Sequence, residues 1–175
     1  MVIIEDTRQQ KDKHELKHSH FEQMGVQLIR SKIAFGDYCL PPYVSIDTKA
    51  DMAEIAQNIG SDHKRFKNEC IAARDAGCQL IILVENTDGI TCVEEVHTWI
   101  NPETIFRPRA ITGDRLQKAM ITMSERYGVR FEFCKPEEAA ETIIKLLGDE
   151  YERIKRSGDQ LRQKGARSIP DHTEG

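Results

Sequence analysis

A continuous apolar run over residues 78–85 constrains the fold more than any other stretch of the sequence, and it reads Cys-Gln-Leu-Ile-Ile-Leu-Val-Glu. Its length is that of an ordinary β-strand. Successive side chains of a strand point to opposite faces of a sheet, and here both sets of side chains are apolar. The run therefore predicts a strand that is buried on both faces, as in sheets that are covered by helices on both sides.

Strand-like and helix-like segments alternate along the rest of the chain. Further strands are predicted at residues 2–5, 26–33 and 129–134, together with a hairpin of residues 38–40 and 43–46. Helices are predicted at residues 13–25, 50–58, 61–76, 93–100, 112–127 and 136–147. This order indicates an α/β fold with a mixed central β-sheet flanked by helices.

Length and composition are those of one domain with a short appendage. The 175 residues suffice for a sizeable core but not for two full domains. The apolar content falls sharply after Gly148. We therefore expect a domain over residues 1–148 and a charged tail over residues 149–175 that is partly helical and then disordered.

The formal net charge of −4 argues against a protein that coats nucleic acid through bulk electrostatics. It leaves room for a nuclease, because a metal site needs acidic residues and local basic patches can still meet phosphates. Three such patches occur in the sequence, and a solvated surface is the alternative interpretation of each. They are Arg8, Lys11 and Lys13; Lys64, Arg65 and Lys67; and Arg107, Arg109 and Arg115.

Membrane insertion, secretion and a structural zinc site are not indicated. No apolar run reaches the roughly 18 residues of a membrane span, and the first residues form neither a basic leader nor a signal segment. We therefore expect a cytoplasmic protein with no membrane partner. The five cysteines contain no CxxC pair and are expected to be reduced thiols. His14 and His18 have i,i+4 spacing, but an exposed polar helix is favoured over a zinc site.

Two short motifs carry the chemistry. Gly36-Asp37-Tyr38 is followed ten positions later by Ile46-Asp47-Thr48-Lys49. In a strand Asp47 and Lys49 share one face while Thr48 points away, and a turn between two short strands would return Asp37 close to that face. Two carboxylates can bind Mg²⁺ through oxygen, and the lysine can offset charge that builds on a phosphate.

In this context the chain resembles the XPF-type nuclease domain of the PD-(D/E)xK superfamily, in the compact stand-alone form found in bacteria and phages. The matching elements, in chain order, are Ile3-Ile4-Glu5-Asp6-Thr7-Arg8, Gly36-Asp37-Tyr38, Asp47-Thr48-Lys49, Arg65 and the apolar run at residues 80–85. The likeness covers the first half strongly and the rest loosely. It implies a restriction-endonuclease-like core and a metal-dependent DNA endonuclease that hydrolyses phosphodiester bonds in branched or single-strand-containing DNA.

The resemblance also assigns roles to individual residues. It implies that Asp6, Asp37 and Asp47 surround Mg²⁺ or Mn²⁺, that the Thr48 carbonyl adds a ligand, and that Lys49 acts on the attacking water or the phosphate. The two cations expected to contact DNA are Arg8 and Arg65. Family likeness further implies a homodimer through the nuclease domain. Trp99, Ile100, Ile105 and Phe106 are candidates for that surface, with burial in the core as the alternative.

Some positions depart from the family pattern. Thr48 stands where an arginine is usual, Asp47 where a glutamate is usual, and Ala53 where an acid is common, with Asp51 and Glu54 nearby. No segment after residue 90 reads as the tandem helix-hairpin-helix module of many relatives. Two alternatives therefore stay open. One is a weak or inactive nuclease-fold module that binds DNA or a protein, and the other is an unrelated α/β hydrolase with a chance motif match.

Overall fold

The computed structural model describes residues 1–9, 15–41 and 43–166. Its six strands form one sheet in the order β2-β1-β3-β4-β5-β6. The strands are β1 (Val2–Asp6), β2 (Gln27–Ser31), β3 (Tyr38–Leu40), β4 (Val44–Lys49), β5 (Gln79–Glu85) and β6 (Arg130–Cys134). Strand β3 runs antiparallel to both of its neighbours, and all other pairs are parallel. The prediction of a mixed sheet and of the hairpin between β3 and β4 is confirmed.

Within the described residues, five α-helices connect and cover the strands. They are α1 (Glu15–Gln23), α2 (Met52–Ile59), α3 (His63–Asp75), α4 (Gly113–Tyr127) and α5 (Ala139–Ala166). The segment predicted as a helix at residues 93–100 forms a 3₁₀ helix at Val93–Thr98, and further 3₁₀ turns lie at Pro102–Ile105 and Pro136–Glu138. None of the helices in the described part of the chain is long and apolar enough to cross a membrane.

Strand β5 is the common wall of two apolar cores. Leu80, Ile82 and Val84 pack on one face of the sheet with residues of α2, α3 and α4, whereas Ile81 and Leu83 pack on the other face with residues of α1 and α5. We call these the α2–α4 face and the α1/α5 face. The predicted burial of this strand on both faces is confirmed, and it fixes which helices lie beside each functional residue.

Helix α5 extends beyond the predicted end near residue 147 and crosses the predicted domain boundary at residue 148. The reason is that Glu150 is buried and accepts hydrogen bonds from Arg130 of β6, at 3.0 Å, and from Arg153. The ring of Tyr151 also packs beside that of Tyr43, with centroids 6.1 Å apart. A charged stretch of sequence therefore stays docked as helix. The predicted disorder at the end of the tail lies outside the described residues.

The four apolar residues that were candidates for a dimer surface separate into two groups. Trp99 is buried in the core on the α2–α4 face. Ile100, Ile105 and Phe106 are among the most exposed large apolar side chains, at 83%, 77% and 85%. The core interpretation thus holds for Trp99, whereas the other three side chains are exposed.

Candidate functional site

The turn at Gly36 and Asp37 is pinned between two strands. The Asp37 N–H donates to the carbonyl of Ile46 at 2.7 Å, and the Asp37 carbonyl accepts from the Asp6 N–H at 2.8 Å. Gly36 has a φ of +65°, and a Cβ atom at this position would lie 2.5 Å from the Ile46 oxygen. Because only glycine tolerates both the backbone conformation and the close approach, Gly36 fixes Asp37 beside the ends of β1 and β4.

The Asp37 carboxylate is oriented by Thr48. Its Oδ2 atom accepts hydrogen bonds from the Thr48 N–H at 2.8 Å and from the Thr48 hydroxyl at 2.6 Å. The other carboxylate oxygen, Oδ1, receives no hydrogen bond from the described residues. Thr48, which departs from the family pattern, therefore orients an acid of the site with its side chain, and Asp37 keeps one oxygen available for a ligand.

Asp47 and Lys49 lie on the α2–α4 face, as the two-residue period of a strand predicts. The Lys49 Nζ atom is 2.6 Å from Asp47 Oδ2, and both residues are 7% exposed. Lys49 Nζ also lies 5.8 Å from the centre of the Phe66 ring and 3.9 Å from the Glu54 carboxylate. The lysine is thus held at the end of β4 by one close acid, one more distant acid and an aromatic ring.

The charges around Asp47 are not balanced. Burial raises the pKa of Asp47 to about 7, and the nearby negative charges of Asp37 and Glu69 raise it as well, while Lys49 opposes this shift. Burial alone would lower the pKa of Lys49, but the Asp47 carboxylate outweighs it, so the net pKa of Lys49 lies above its ordinary value. Lys49 therefore stays protonated at neutral pH, beside an acid that is incompletely neutralised.

Asp6 has a different environment. Its Oδ1 accepts from the Arg8 N–H at 2.8 Å, and its Oδ2 accepts from Arg8 Nε at 2.8 Å and from a terminal nitrogen of the same guanidinium. Burial raises the pKa of Asp6, but these hydrogen bonds and the charge of Arg8 more than compensate, so the net pKa is lowered. Within residues 1–9, 15–41 and 43–166 no group of three or more His, Cys, Asp or Glu side chains could hold a metal ion. Asp37, Asp47 and Lys49 thus lie together in the site, whereas both carboxylate oxygens of Asp6 accept hydrogen bonds from Arg8.

Glu69 of α3 is a further residue of the site that the motifs did not single out. Its Oε1 atom accepts from the Gly36 N–H at 3.3 Å, and its charge acts on both Asp47 and Arg8. The signal in the sequence was its spacing, because Glu69 follows Arg65 by four residues and so shares a helix face with it. Arg65 itself is exposed and forms no ion pair within the described residues.

The histidine candidates lie elsewhere. A ring nitrogen of His18 lies 2.6 Å from the Glu5 carboxylate on the α1/α5 face, away from Asp47. His14 lies outside the described residues.

The donor set of the site fits a hard divalent cation. Asp37 and Asp47 each keep one carboxylate oxygen that accepts no hydrogen bond from the described part of the chain, and the acids around Asp47 leave an excess of negative charge. Mg²⁺ is commonly bound through one or two carboxylates with water and phosphate oxygens completing the octahedron. Two carboxylates therefore suffice for such an ion.

The fold resembles two solved structures, both of XPF from Aeropyrum pernix. XPF from Aeropyrum pernix superposes with a TM-score of 0.63 and 19% identity, over 91% of this chain and 70% of that one. XPF from Aeropyrum pernix in a complex with DNA superposes with a TM-score of 0.61 and 20% identity, over 87% of this chain and 66% of that one. The sequence matches no protein-family model and has no significant match among curated proteins.

At this level of identity the likeness shows the fold alone, a mixed six-stranded sheet flanked by helices as in XPF. The fold prediction is confirmed. The alternative of an unrelated α/β hydrolase with a chance motif match loses its support, because the motif and the fold agree. In the DNA-bound relative the chain spans slightly less than two thirds of that protein's length.

Proposed function

We propose that this protein is a metal-dependent DNA endonuclease that hydrolyses phosphodiester bonds at the site of Asp37, Asp47 and Lys49. The observation that carries the proposal is the buried contact between Asp47 and Lys49 at the end of β4, next to the pinned Asp37, in an XPF-type fold. A buried pair that served only stability would not need a further acid beside it, since repulsion between carboxylates costs free energy.

Asp37 and Asp47 are the residues proposed to hold Mg²⁺ or Mn²⁺. Asp6 would assist through a water molecule, since Arg8 already engages both of its oxygens. A divalent cation at such a site supplies positive charge that polarises the scissile phosphate and lowers the pKa of a water molecule.

Lys49 is proposed to stabilise the negative charge that develops on the phosphate. Its ammonium group is kept protonated by Asp47 and lies at the end of β4 beside Asp37. A preorganised donor in a partly dry site stabilises developing charge more strongly than one in water. Arg8, whose side chain is 62% exposed, and Arg65 are proposed to contact DNA phosphates.

The test is cleavage by the purified protein with Mg²⁺ or Mn²⁺ of flap, fork, Holliday-junction, duplex and single-stranded DNA. We expect cleavage of a branched or single-strand-containing substrate, and we expect Asp47→Ala to abolish it while the circular dichroism spectrum stays that of the wild type. The matched control is Asp75→Ala, which removes an exposed acid of α3 and should cleave normally. Unchanged cleavage by Asp47→Ala would contradict the assignment.

A nuclease-fold module that binds DNA or a partner without cutting is the second candidate. The engagement of Asp6 by Arg8 and the lack of a cluster of three metal-binding side chains among the described residues favour it. It predicts DNA binding that is indifferent to metal and no cleavage product with any of the five substrates.

A further inference from the structure

A basic groove lies between α2 and α4, next to the candidate site but separate from it. Its cavity volume is about 910 Å³, and α2 contributes Ala53, Ala56 and Gln57 to one wall. The small alanine side chains leave the groove open along the helix. The opposite wall comes from the segment between Asn101 and Ile111 and from the first turns of α4.

The groove is positively charged in a protein whose net charge is negative. Arg107, Arg109 and Arg115 line it together with His63, and Glu103 is the acidic residue of its lining. Glu103 forms an exposed ion pair with Arg107, in which a guanidinium nitrogen and a carboxylate oxygen are 3.3 Å apart. Arg109 and Arg115 are exposed and form no ion pair or side-chain hydrogen bond within the part of the chain that the structure describes. Two cations of the groove are therefore available to an anionic ligand.

An exposed aromatic residue adjoins the groove lining along the chain. Phe106 directly precedes the lining residue Arg107 and is 85% exposed, so its ring is open to solvent. The segment is fastened by the buried Asn101, which donates to the Ile111 carbonyl at 2.9 Å and accepts from the Glu103 N–H at 3.0 Å. The exposed ring is thus presented by an ordered turn rather than by a loose loop.

Helix α2 joins the groove to the candidate site. Glu54 of its first turn lies 3.9 Å from Lys49, and the adjacent residue Ala53 lines the groove. From Ala53 to Gly60, which also lines it, the chain advances by about 10 Å at the rise of an α-helix.

We propose that this groove binds a single-stranded segment of DNA beside the site, with arginines on its phosphates and Phe106 stacked on a base. The proposal rests on the proposed function for the identity of the substrate. Stacking on an aromatic ring requires an unpaired base, which favours a single strand over a duplex. The unpaired charges of Arg109 and Arg115 favour an anionic occupant, so a second copy of the chain is kept as an outcome of the test.

The test is binding of a fluorescently labelled twelve-nucleotide thymidine oligomer to the full chain in EDTA, so that no cleavage is needed. Arg109→Ala/Arg115→Ala should weaken binding and flatten the plot of log Kd against log salt concentration by about 1.4, since each lost phosphate contact contributes about 0.7 for a single strand. The charge-matched control is Lys155→Ala/Arg156→Ala on α5. This control removes two exposed cations at a distance from the groove and should keep the wild-type slope.

Phe106 separates stacking from protein association. Phe106→Leu keeps an apolar surface but loses the ring, and it should weaken oligomer binding by about five-fold or more. Phe106→Trp should retain wild-type binding. Light scattering that shows a wild-type dimer dissociated by Arg109→Ala/Arg115→Ala would overturn the proposal, as would wild-type affinity in the groove variants or no binding by the wild type. Asp47→Ala keeps the groove, so intact binding with lost cleavage separates the two proposals.

Discussion

Asp6 and Asp47 are both buried aspartates at the ends of strands, and each is followed two residues later by a cation. Arg8 gives Asp6 three hydrogen bonds, and the net pKa of Asp6 is lowered. Lys49 gives Asp47 a single contact, and burial together with Asp37 and Glu69 raises the pKa of Asp47 to about 7. The same spacing thus produces one acid that is fully hydrogen-bonded by its cation and one acid in an excess of negative charge, and under the proposed function only the second would hold a cation and meet a phosphate.

The largest effect is expected on cleavage turnover, and it should differ between substitutions of Lys49 and of Arg8. Lys49→Ala should reduce the cleavage turnover by about 10²- to 10³-fold, the usual loss when one preorganised charge stabiliser is removed. Arg8→Ala should reduce the turnover far less, because its guanidinium is committed to Asp6. Single-turnover cleavage measures both. Mn²⁺ binding by Lys49→Ala should survive, and its loss in calorimetry would contradict the role given to the lysine.

The next effect concerns stability, for which Arg8 should matter more than it does for cleavage turnover. Arg8→Ala removes the two guanidinium hydrogen bonds of the buried Asp6 carboxylate and keeps only the one from the residue-8 N–H, so the free energy of unfolding in urea should fall by about 2 kcal/mol. The control is Arg74→Ala, which breaks the exposed pair with Asp75 and should cost at most about 0.5 kcal/mol. Equal losses of unfolding free energy in Arg8→Ala and Arg74→Ala would mean that the pair of Asp6 and Arg8 stabilises the fold no more than an exposed ion pair does.

The pH dependence of stability should also differ between the two acids in metal-free protein. Between about pH 4 and pH 7 the folded state keeps a proton on Asp47 that the unfolded state releases, so this group lowers the free energy of unfolding as the pH rises, by at most about 1.4 kcal/mol per unit. Asp47→Asn should remove that decline.

Asp6 has the reverse sign. Its lowered pKa contributes stability that is present above the pKa of the unfolded chain and is lost as the pH falls through the folded value. Asp6→Asn should therefore reduce the loss of unfolding free energy as the pH falls below about 4. It should leave the slope of the unfolding free energy between pH 4 and pH 7 as in the wild type. Urea denaturation from about pH 2 to about pH 7 checks both variants, and identical profiles would remove the distinction between the two acids.

The smallest expected effect concerns Glu69. Glu69→Gln keeps an acceptor for the Gly36 N–H but removes a negative charge near Asp47, so the pKa of Asp47 should fall by less than about one unit. Carbon NMR of the aspartate carboxyl groups measures the shift. No change in the pKa of Asp47, or a rise, would mean that Glu69 is not a source of the negative charge that raises this pKa.

Local periodicity predicted much of this arrangement. The burial of β5 follows from its apolar residues on both faces, and the contact of Asp47 with Lys49 follows from the period of two along β4. The bonds from Thr48 to Asp37 and from Gly36 to Glu69 join residues 11 and 33 positions apart, and no local pattern specifies them. The continuation of α5 past residue 147 likewise depends on a distant arginine that holds Glu150.

Calorimetric titration of the protein with Mn²⁺ tests the central claim most directly, when it compares the wild type with Asp47→Asn and Asp6→Asn. Both substitutions preserve side-chain size and remove one charge. We expect binding by the wild type, loss of binding in Asp47→Asn, and binding within about ten-fold of the wild type in Asp6→Asn, the usual range for an outer partner of a metal site. Unchanged binding in Asp47→Asn, or complete loss in Asp6→Asn alone, would contradict this claim.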